Sequence, residues 1–158
     1  LHGGRTEVFK TYYKTKSPGE YIFGFDTSSQ YPAVMALDTY AVGAKTCKKY
    51  SIPQLTKLIL NGTFCGLVKC DIECPKELYV AILPSKNERK SLVFDLIDKT
   101  QQTYASPELQ YALEEGYKIT KIYNTHTYNA QNGIFKKYVE CFYKMKIENN
   151  SVLYKRRM

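Results

Sequence analysis

Tryptophan is absent from this chain, and histidine occurs only at His2 and His126. Imidazoles so few and so far apart leave little material for a histidine-based metal centre or a hydrolytic triad. No apolar run approaches the ~18 residues that a membrane-crossing helix needs. The opening Leu1-His2-Gly3-Gly4-Arg5 also lacks the charged head and apolar core of a secretory leader, so an intracellular chain with no membrane partner is expected. Neither a glycine-rich dinucleotide fingerprint nor a phosphate-loop pattern occurs, and internal repeats are missing. Cys47, Cys65, Cys70, Cys74 and Cys141 are odd in number, which argues against a complete disulfide framework and for reduced thiols. The Cys65-x4-Cys70-x3-Cys74 spacing resembles no compact zinc knuckle, and buried thiols are the expected state.

What the chain has instead is positive charge and tyrosine. Its 158 residues carry 23 Lys and Arg against 15 Asp and Glu, a formal charge of +8. A surplus of that size favours polyanions through phosphate attraction and counterion release. The 15 tyrosines and 7 phenylalanines supply rings that pack against apolar neighbours, and each tyrosine adds a hydroxyl for hydrogen bonding. At 44% apolar residues the composition is that of a globular domain and not of a disordered tail.

Along the chain, a strand is predicted around 6–11, a Pro18-Gly19 turn inside the 14–20 loop, and a short apolar strand over 21–25 that Asp26 closes. Thr27-Ser28-Ser29-Gln30-Tyr31-Pro32 must turn, and Pro32 suits the first turn of a short helix over 33–37. Ser51 caps a helix to Leu60, with Leu55, Leu58 and Ile59 on one face and Asn61-Gly62 as the stop. The clearest strand runs from Phe64 to Cys74. Phe64, Gly66, Val68, Cys70, Ile72 and Cys74 fall on one side of it, and Lys69, Asp71 and Glu73 on the other. A strand or extended chain over 78–83, a charged loop over 84–90 and a strand over 91–96 follow. Ser106 as cap and Pro107 in first position begin a helix that Gly116 ends. A strand over 117–123 and a polar linker over 124–133 lead to a last helix, whose Ile134, Phe135, Tyr138, Val139, Phe142 and Met145 make an apolar stripe. Strand and helix alternate unevenly, so the predicted fold class is α+β and not a doubly wound sheet.

Three stretches, in order, carry a family resemblance. The first is Gly3-Gly4-Arg5-Thr6-Glu7-Val8-Phe9, and the second is Phe25-Asp26-Thr27-Ser28-Ser29-Gln30-Tyr31-Pro32-Ala33-Val34-Met35. The third runs from Ser106-Pro107-Glu108-Leu109 through Gly116-Tyr117 to Gly133-Ile134-Phe135-Lys136-Lys137-Tyr138 and Tyr143-Lys144-Met145-Lys146. Together they resemble family B DNA polymerases, specifically the protein-primed branch of linear plasmids, certain viruses and self-synthesising DNA transposons. In that family the stretches correspond to the glycine pair between exonuclease and polymerase domains, motif A of the palm, and the approach to motif B in the fingers. Gly66 to Leu83 resembles a palm segment of the same branch. The resemblance implies a partial palm over 1–132, with motif A near its start, and a truncated first fingers helix over 133–158.

It also implies roles for individual residues. Phosphoryl transfer needs a carboxylate to hold Mg²⁺ beside the primer 3′ oxygen and the incoming triphosphate. Asp26 is that catalytic carboxylate by resemblance, with the Thr27 carbonyl as a further metal ligand. Ser28, Ser29 and Gln30 then line the nucleotide site, where the serines and nearby amides orient triphosphate oxygens. Tyr31 lies beneath the sugar and excludes a 2′-hydroxyl by sterics. Lys146 pairs with the β- or γ-phosphate, with Lys144 as the weaker alternative, since the two lie about 200° apart round the helix and cannot both face one ligand. Gly3, Gly4 and Arg5 guide single-stranded template or primer, because missing Cβ atoms permit close approach. Taken as residues alone, Asp26 and the serines also suit turn capping, Tyr31 a core position and Lys146 an exposed cation.

A two-metal site needs a second carboxylate. The family takes it from an Asp-Thr-Asp hairpin that does not occur in these 158 residues, nor does the Asn-Ser-x-Tyr-Gly stretch of motif B. Asp71 and Glu73 share a strand face but read as surface or salt-bridge residues, and Asp95 and Asp98 carry no assigned role. The expectation is a piece of a longer Mg²⁺-dependent DNA-directed DNA polymerase, inactive by itself. Its parent adds deoxynucleotides to primer-template DNA from a terminal protein primer, in a nuclear, mitochondrial or virus-associated setting. The alternative is a non-catalytic DNA-binding module or a degenerate replication scaffold.

Overall fold

The computed structural model describes residues 5–87 and 91–148. Its elements are α1 Gln30–Leu37, β1 Thr39–Cys47, α2 Ile52–Leu60, β2 Gly66–Glu73, β3 Ser85–Lys86, β4 Leu92–Val93, β5 Lys99–Ala105, α3 Ser106–Glu114, β6 Lys118–Asn132 and α4 Lys136–Glu148. The class is α+β, as predicted. The chain divides into two compact units, one containing Tyr40–Gln131 and the other composed of Gly3–Thr39 with Asn132–Met158.

The first unit is built on a four-stranded sheet in the order β1-β6-β2-β5, beside a small β3-β4 pair. β2 pairs antiparallel with both β5 and β6. The alternation predicted for β2 holds residue by residue: Phe64, Gly66, Val68, Cys70, Ile72 and Cys74 are all buried. Above that face lie Leu55 and Ile59 of α2 and Leu109 and Ala112 of α3, with Leu83, Tyr104, Tyr117 and Ile119 completing the core. The short helices carry apolar residues three or four positions apart, so each buries one stripe and leaves the rest wet. Burial, and then the neighbouring Asp71 charge, pushes the Cys70 thiol up to about 12, so it is an inert packing group at neutral pH.

Several boundaries differ from the sequence expectation, each for a physical reason. Ser106 is not the cap of α3. Ala105 holds that place and its N–H donates to the Glu108 carboxylate at 3.1 Å, while the Ser106 hydroxyl accepts the Gly66 N–H at 3.2 Å. The 124–133 stretch is not a linker, since β6 continues to Asn132. Its polar Asn, Thr and Gln residues hide the strand from a hydrophobicity pattern, yet Asn124 to Thr127 pair with Gly66 to Lys69. Nothing in the sequence pattern predicts β1 or β5. β1 is almost wholly exposed and β5 reads Lys-Thr-Gln-Gln-Thr-Tyr-Ala, so neither shows an amphipathic period. The expected strand at 91–96 shrinks to Leu92–Val93, and 78–83 forms no ladder. Most of the expected 84–90 loop is described, and Glu88 to Lys90 lie outside the described residues.

In the second unit neither predicted strand forms, at 6–11 or at 21–25. The 21–25 segment is nonetheless extended in its side-chain order: the rings of Tyr21 and Phe23 stand 6.2 Å apart and those of Phe23 and Phe25 6.4 Å apart. The Pro18-Gly19 turn does form, closed by the Glu20 N–H on the Ser17 carbonyl at 3.2 Å. The Glu20 carboxylate then accepts from the Tyr13 hydroxyl and, at 2.6 Å, from the Lys16 N–H. α1 and α4 pack on one another.

Candidate functional site

The segment carrying most of the predicted site residues is a junction between extended chain and helix. Asp26 and Thr27 end the extended stretch, Ser28 and Ser29 form the turn, and Gln30 and Tyr31 open α1. Ser29 occupies the cap position with φ 58° and ψ 32°, the left-handed region, and makes no side-chain cap bond. That conformation is uncommon for a residue with a Cβ and carries strain on the order of 1–3 kcal/mol. A left-handed residue followed by helical ones turns successive N–H groups toward one side, the arrangement that binds anions. The Ser29 carbonyl meanwhile accepts the Ala33 N–H at 3.0 Å and so anchors the first turn. Asp26 is exposed, and the Tyr31 ring is 85% exposed, so neither serves as a packing residue in this unit.

The helix bearing Lys146 is tied to the helix bearing Tyr31. After α1 the Asp38 carbonyl accepts the Gly133 N–H at 3.3 Å, and the Thr39 hydroxyl donates to the Asn132 side chain at 2.5 Å. Gly133 has φ +62°, a turn that a side chain would strain, and it lets the chain pass from Asn132 into α4. Lys146 is half-buried in the last turn of α4, while Lys144 is exposed, in keeping with their separation around the helix. The apolar stripe predicted for α4 exists, and the Tyr138 and Phe142 rings stand 4.7 Å apart along it. Most of that stripe is open in the described chain, with Ile134, Phe135, Tyr138, Phe142 and Met145 all exposed.

Arg5 is engaged with the Glu7 carboxylate and lies 5.6 Å from the Phe9 ring centroid. Gly3 and Gly4, the other residues assigned to DNA contact, lie outside the described residues. An exposed carboxylate next to a backbone carbonyl, as in Asp26-Thr27, offers the hard oxygen donors that Mg²⁺ takes, so these residues fit the metal by type. Among the described residues no group of three or more His, Cys, Asp and Glu stands together.

Three other aspartates, Asp71, Asp95 and Asp98, have structural partners. Asp71 accepts the Gln101 N–H at 2.7 Å and the Tyr123 hydroxyl at 2.9 Å. Asp98 accepts the Cys74 N–H at 2.9 Å. Asp95 pairs with Lys99, a cation only 2% exposed whose ammonium also donates to the Asp95 carbonyl at 2.9 Å. Sequence reading passed over Lys99 and Tyr123. The face shared by Lys69 and Asp71 was visible as an alternation, but only the register of β6 brings Tyr123 to it.

Residues 1–157 match the family of type B DNA polymerases, organellar and viral. Among solved structures the chain is similar to Phi29 DNA polymerase in an orthorhombic crystal form, with a TM-score of 0.52 and 16% sequence identity over 78% of this chain and 22% of that one. The chain therefore spans about a fifth of the length of that polymerase, and the likeness is one of fold. No curated protein matches. With the family match running through both units, the chain belongs to the organellar and viral type B DNA polymerases.

Proposed function

We propose that this chain is the motif A part of the palm, with the first fingers helix, of a DNA-directed DNA polymerase that works in protein-primed replication. The observation that carries the reading is the family match over residues 1–157, which takes in the Asp26-to-Pro32 junction. In this reading Asp26 and the Thr27 carbonyl hold Mg²⁺, which when bound stabilises charge on the reacting oxygens. The strained Ser29 turn and the amides opening α1 receive the triphosphate, helped by the positive end of the helix. Ser28 and Gln30 flank that cradle. The exposed Tyr31 ring lies under the sugar and rejects ribose by contact. Lys146 adds a cation for the β- or γ-phosphate. Its position ten residues into α4, about 15 Å along the axis, sets it well away from the Asp38–Gly133 tie.

The substrates are then deoxynucleoside triphosphates and primer-template DNA, and the partner is a terminal protein primer. Arg5 and the glycine pair before it are assigned by this reading to guiding single-stranded DNA. The 158-residue chain does not turn over by itself, because a two-metal site needs a second palm carboxylate. The test is nucleotide incorporation by the complete parent enzyme. Asp26→Asn is expected to lower the rate by about 10³-fold, as loss of a principal transition-state electrostatic contact does. Tyr31→Val is expected to lower discrimination against ribonucleotides by about 10- to 200-fold. Lys146→Ala is expected to raise KM for the incoming nucleotide. Near-native rates in Asp26→Asn would remove the metal-ligand role. Salt-dependent DNA affinity without any Mg²⁺-dependent incorporation in the parent would favour a non-catalytic DNA-binding module.

A further inference from the structure

The sheet of the Tyr40–Gln131 unit buries one face beneath α2 and α3, and Lys69 and Asp71 lie on the opposite face. The register of β2 and β6 sets Lys69 across from Asn124 and Asp71 across from Lys121. Opposite charges so placed ordinarily pair across strands. Here they do not. Asp71 is taken by the Tyr123 hydroxyl and the Gln101 N–H, and the Lys121 ammonium lies 4.7 Å from the Tyr123 ring centroid. The Lys69 ammonium lies 5.9 Å from the same centroid. Gln101 is held at φ 51°, a left-handed residue without a glycine, and the β2–β6 register slips twice at this patch, between Lys69 and Cys70 and between Asp71 and Ile72. Irregular backbone of this kind re-aims side chains and gathers at functional sites.

Beside Tyr123 a cleft of about 380 Å³ opens between the Cys47-to-Tyr50 segment and the Ile122-to-Thr125 part of β6. The Thr125 hydroxyl donates to the Lys48 carbonyl and pins that segment, so Lys48 and Lys49 line the cleft with Asn124. Among the described residues none of Lys48, Lys49, Lys69 and Lys121 is in an ion pair. Lys69 and Lys121 therefore stand near the ring of a tyrosine that is 39% exposed, and Lys48 and Lys49 line with that tyrosine a cleft that offers an apolar wall at Ile122 and an amide at Asn124.

We propose that this face binds unpaired nucleic acid: one base enters the cleft beside Tyr123, and the flanking phosphates lie on Lys48, Lys49, Lys69 and Lys121. A cleft of this volume is in the range that holds a ligand of nucleotide size and is too small for stacked base pairs. Aromatic rings interleaved with cations are how proteins hold single strands without reading sequence. The Asp71 carboxylate fixes the ring by its hydroxyl edge, and its single negative charge leaves the four lysines in excess. The choice of nucleic acid as ligand rests on the polymerase reading. The face itself uses no residue of the Asp26 junction.

The test is fluorescence anisotropy of the 158-residue chain with a labelled oligothymidylate and with a duplex of equal length, in EDTA and without nucleotides, over a salt series. The single strand is expected to bind the more tightly. Replacing Lys48, Lys49, Lys69 and Lys121 together by Gln is expected to lower its affinity by about 10²-fold at low salt and to flatten the logarithmic salt slope by about 2 to 3. Tyr123→Ala is expected to cost about tenfold, and Tyr123→Phe, which keeps the ring, much less. Far-UV circular dichroism checks that each variant folds. A control replacing Lys14, Lys16, Lys57 and Lys76 makes the same change in net charge and is expected to leave most of the affinity. Equal losses in the control and the test variant would show binding by bulk charge and overturn the proposal, as would preference for duplex. A wild-type chain that binds neither strand nor duplex in EDTA would also overturn it. That outcome leaves the polymerase reading standing, because Mg²⁺-dependent incorporation by the parent tests it separately.

Discussion

Leu109, in α3, is fully buried, whereas Leu37, at the end of α1, is 74% exposed. The contrast extends to the units that hold them. In Tyr40–Gln131 two helices cover one sheet face and share a continuous apolar core. In the unit of Gly3–Thr39 and Asn132–Met158, neither α1 nor α4 contains a buried residue, and Phe25 is 94% exposed. Yet Asp26, Tyr31 and Lys146, the residues marked by resemblance, all belong to this second unit. Local burial and family motif are thus separate properties of this chain. The first unit's stability comes from apolar surface removed from water, at about 25 cal/mol per Å². The second unit is held by a few turns, by rings in sequence, by the tie between Asp38 and Gly133 and by the half-open packing of α1 on α4.

The two units should respond most differently to a substitution at Gly66. A Cβ built there would lie 2.1 Å from the His126 carbonyl oxygen and 3.1 Å from the Phe64 ring, so the β2 and β6 backbones must part to admit it. Gly66→Ala is expected to cost about 3 kcal/mol or more, at the upper end for overpacked sites. Leu109→Ala, which leaves a cavity in place of a clash, is expected to cost about 2–5 kcal/mol. Both are checked by urea unfolding together with amide hydrogen exchange. Protection should fall in β2, β5 and β6 and stay as it was in α1 and α4. A Gly66→Ala protein as stable as its parent would mean that the close approach of these strands is not a constraint on the first unit.

How much of this could be read beforehand depended on which side chains a strand presents. β2 was legible because four of its residues, with Phe64 before it and Cys74 after it, alternate into buried positions. α2 was legible from Ser51 to Gly62 for a similar reason, and the Gln54 side chain does accept the Ser51 N–H at 3.2 Å. β1, β5 and the second half of β6 were not legible, because their faces are largely polar or exposed and their pairing is fixed by partners distant in sequence. The same holds for sites. Asp26, Tyr31 and Lys146 stood out through a linear motif, which survives without any knowledge of packing. The Lys69, Lys121 and Tyr123 cluster is assembled across two strands, so no local spacing could announce it. The left-handed Ser29 was likewise invisible, since a serine in a turn does not specify the sign of φ.

Acid should act on the first unit through the Asp95–Lys99 pair. Burial tends to raise the Asp95 carboxyl, but the Lys99 ammonium, by hydrogen bond and by charge, and the Ser85 hydroxyl outweigh it and hold the group below its ordinary value. A depressed carboxyl contributes stability that is complete above the unfolded value of about 3.9 and is lost as pH falls through the lower folded value. Asp95→Asn is expected to cost about 1–3 kcal/mol near neutral pH. That is below the figure for a wholly buried pair, because the carboxylate is part exposed and Lys99 keeps the Asp95 carbonyl. It should also remove part of the acid sensitivity of the first unit. The check is a set of urea titrations from neutral pH down to below 4 for both proteins. Parallel stability curves would show that this pair does not contribute to the acid limb.

The smallest expected effect is the most direct test of the contrast. Leu37→Ala makes the same chemical change as Leu109→Ala, but at a side chain that is already 74% in water. The lost transfer energy is therefore small, and no cavity remains because nothing encloses the group. Alanine also has the higher helix propensity, which offsets part of what is lost. The expected change is within about 0.5 kcal/mol, the usual span for surface substitutions. Hydrogen exchange of the amides in α1 and α4 is the proper measurement, since global unfolding reports mainly on the first unit. A cost near that of Leu109→Ala would mean that Leu37 is enclosed in solution, and the second unit would then have a core of its own. A negligible cost would place the Asp26 junction and its helix on a unit whose apolar side chains contribute little to holding it.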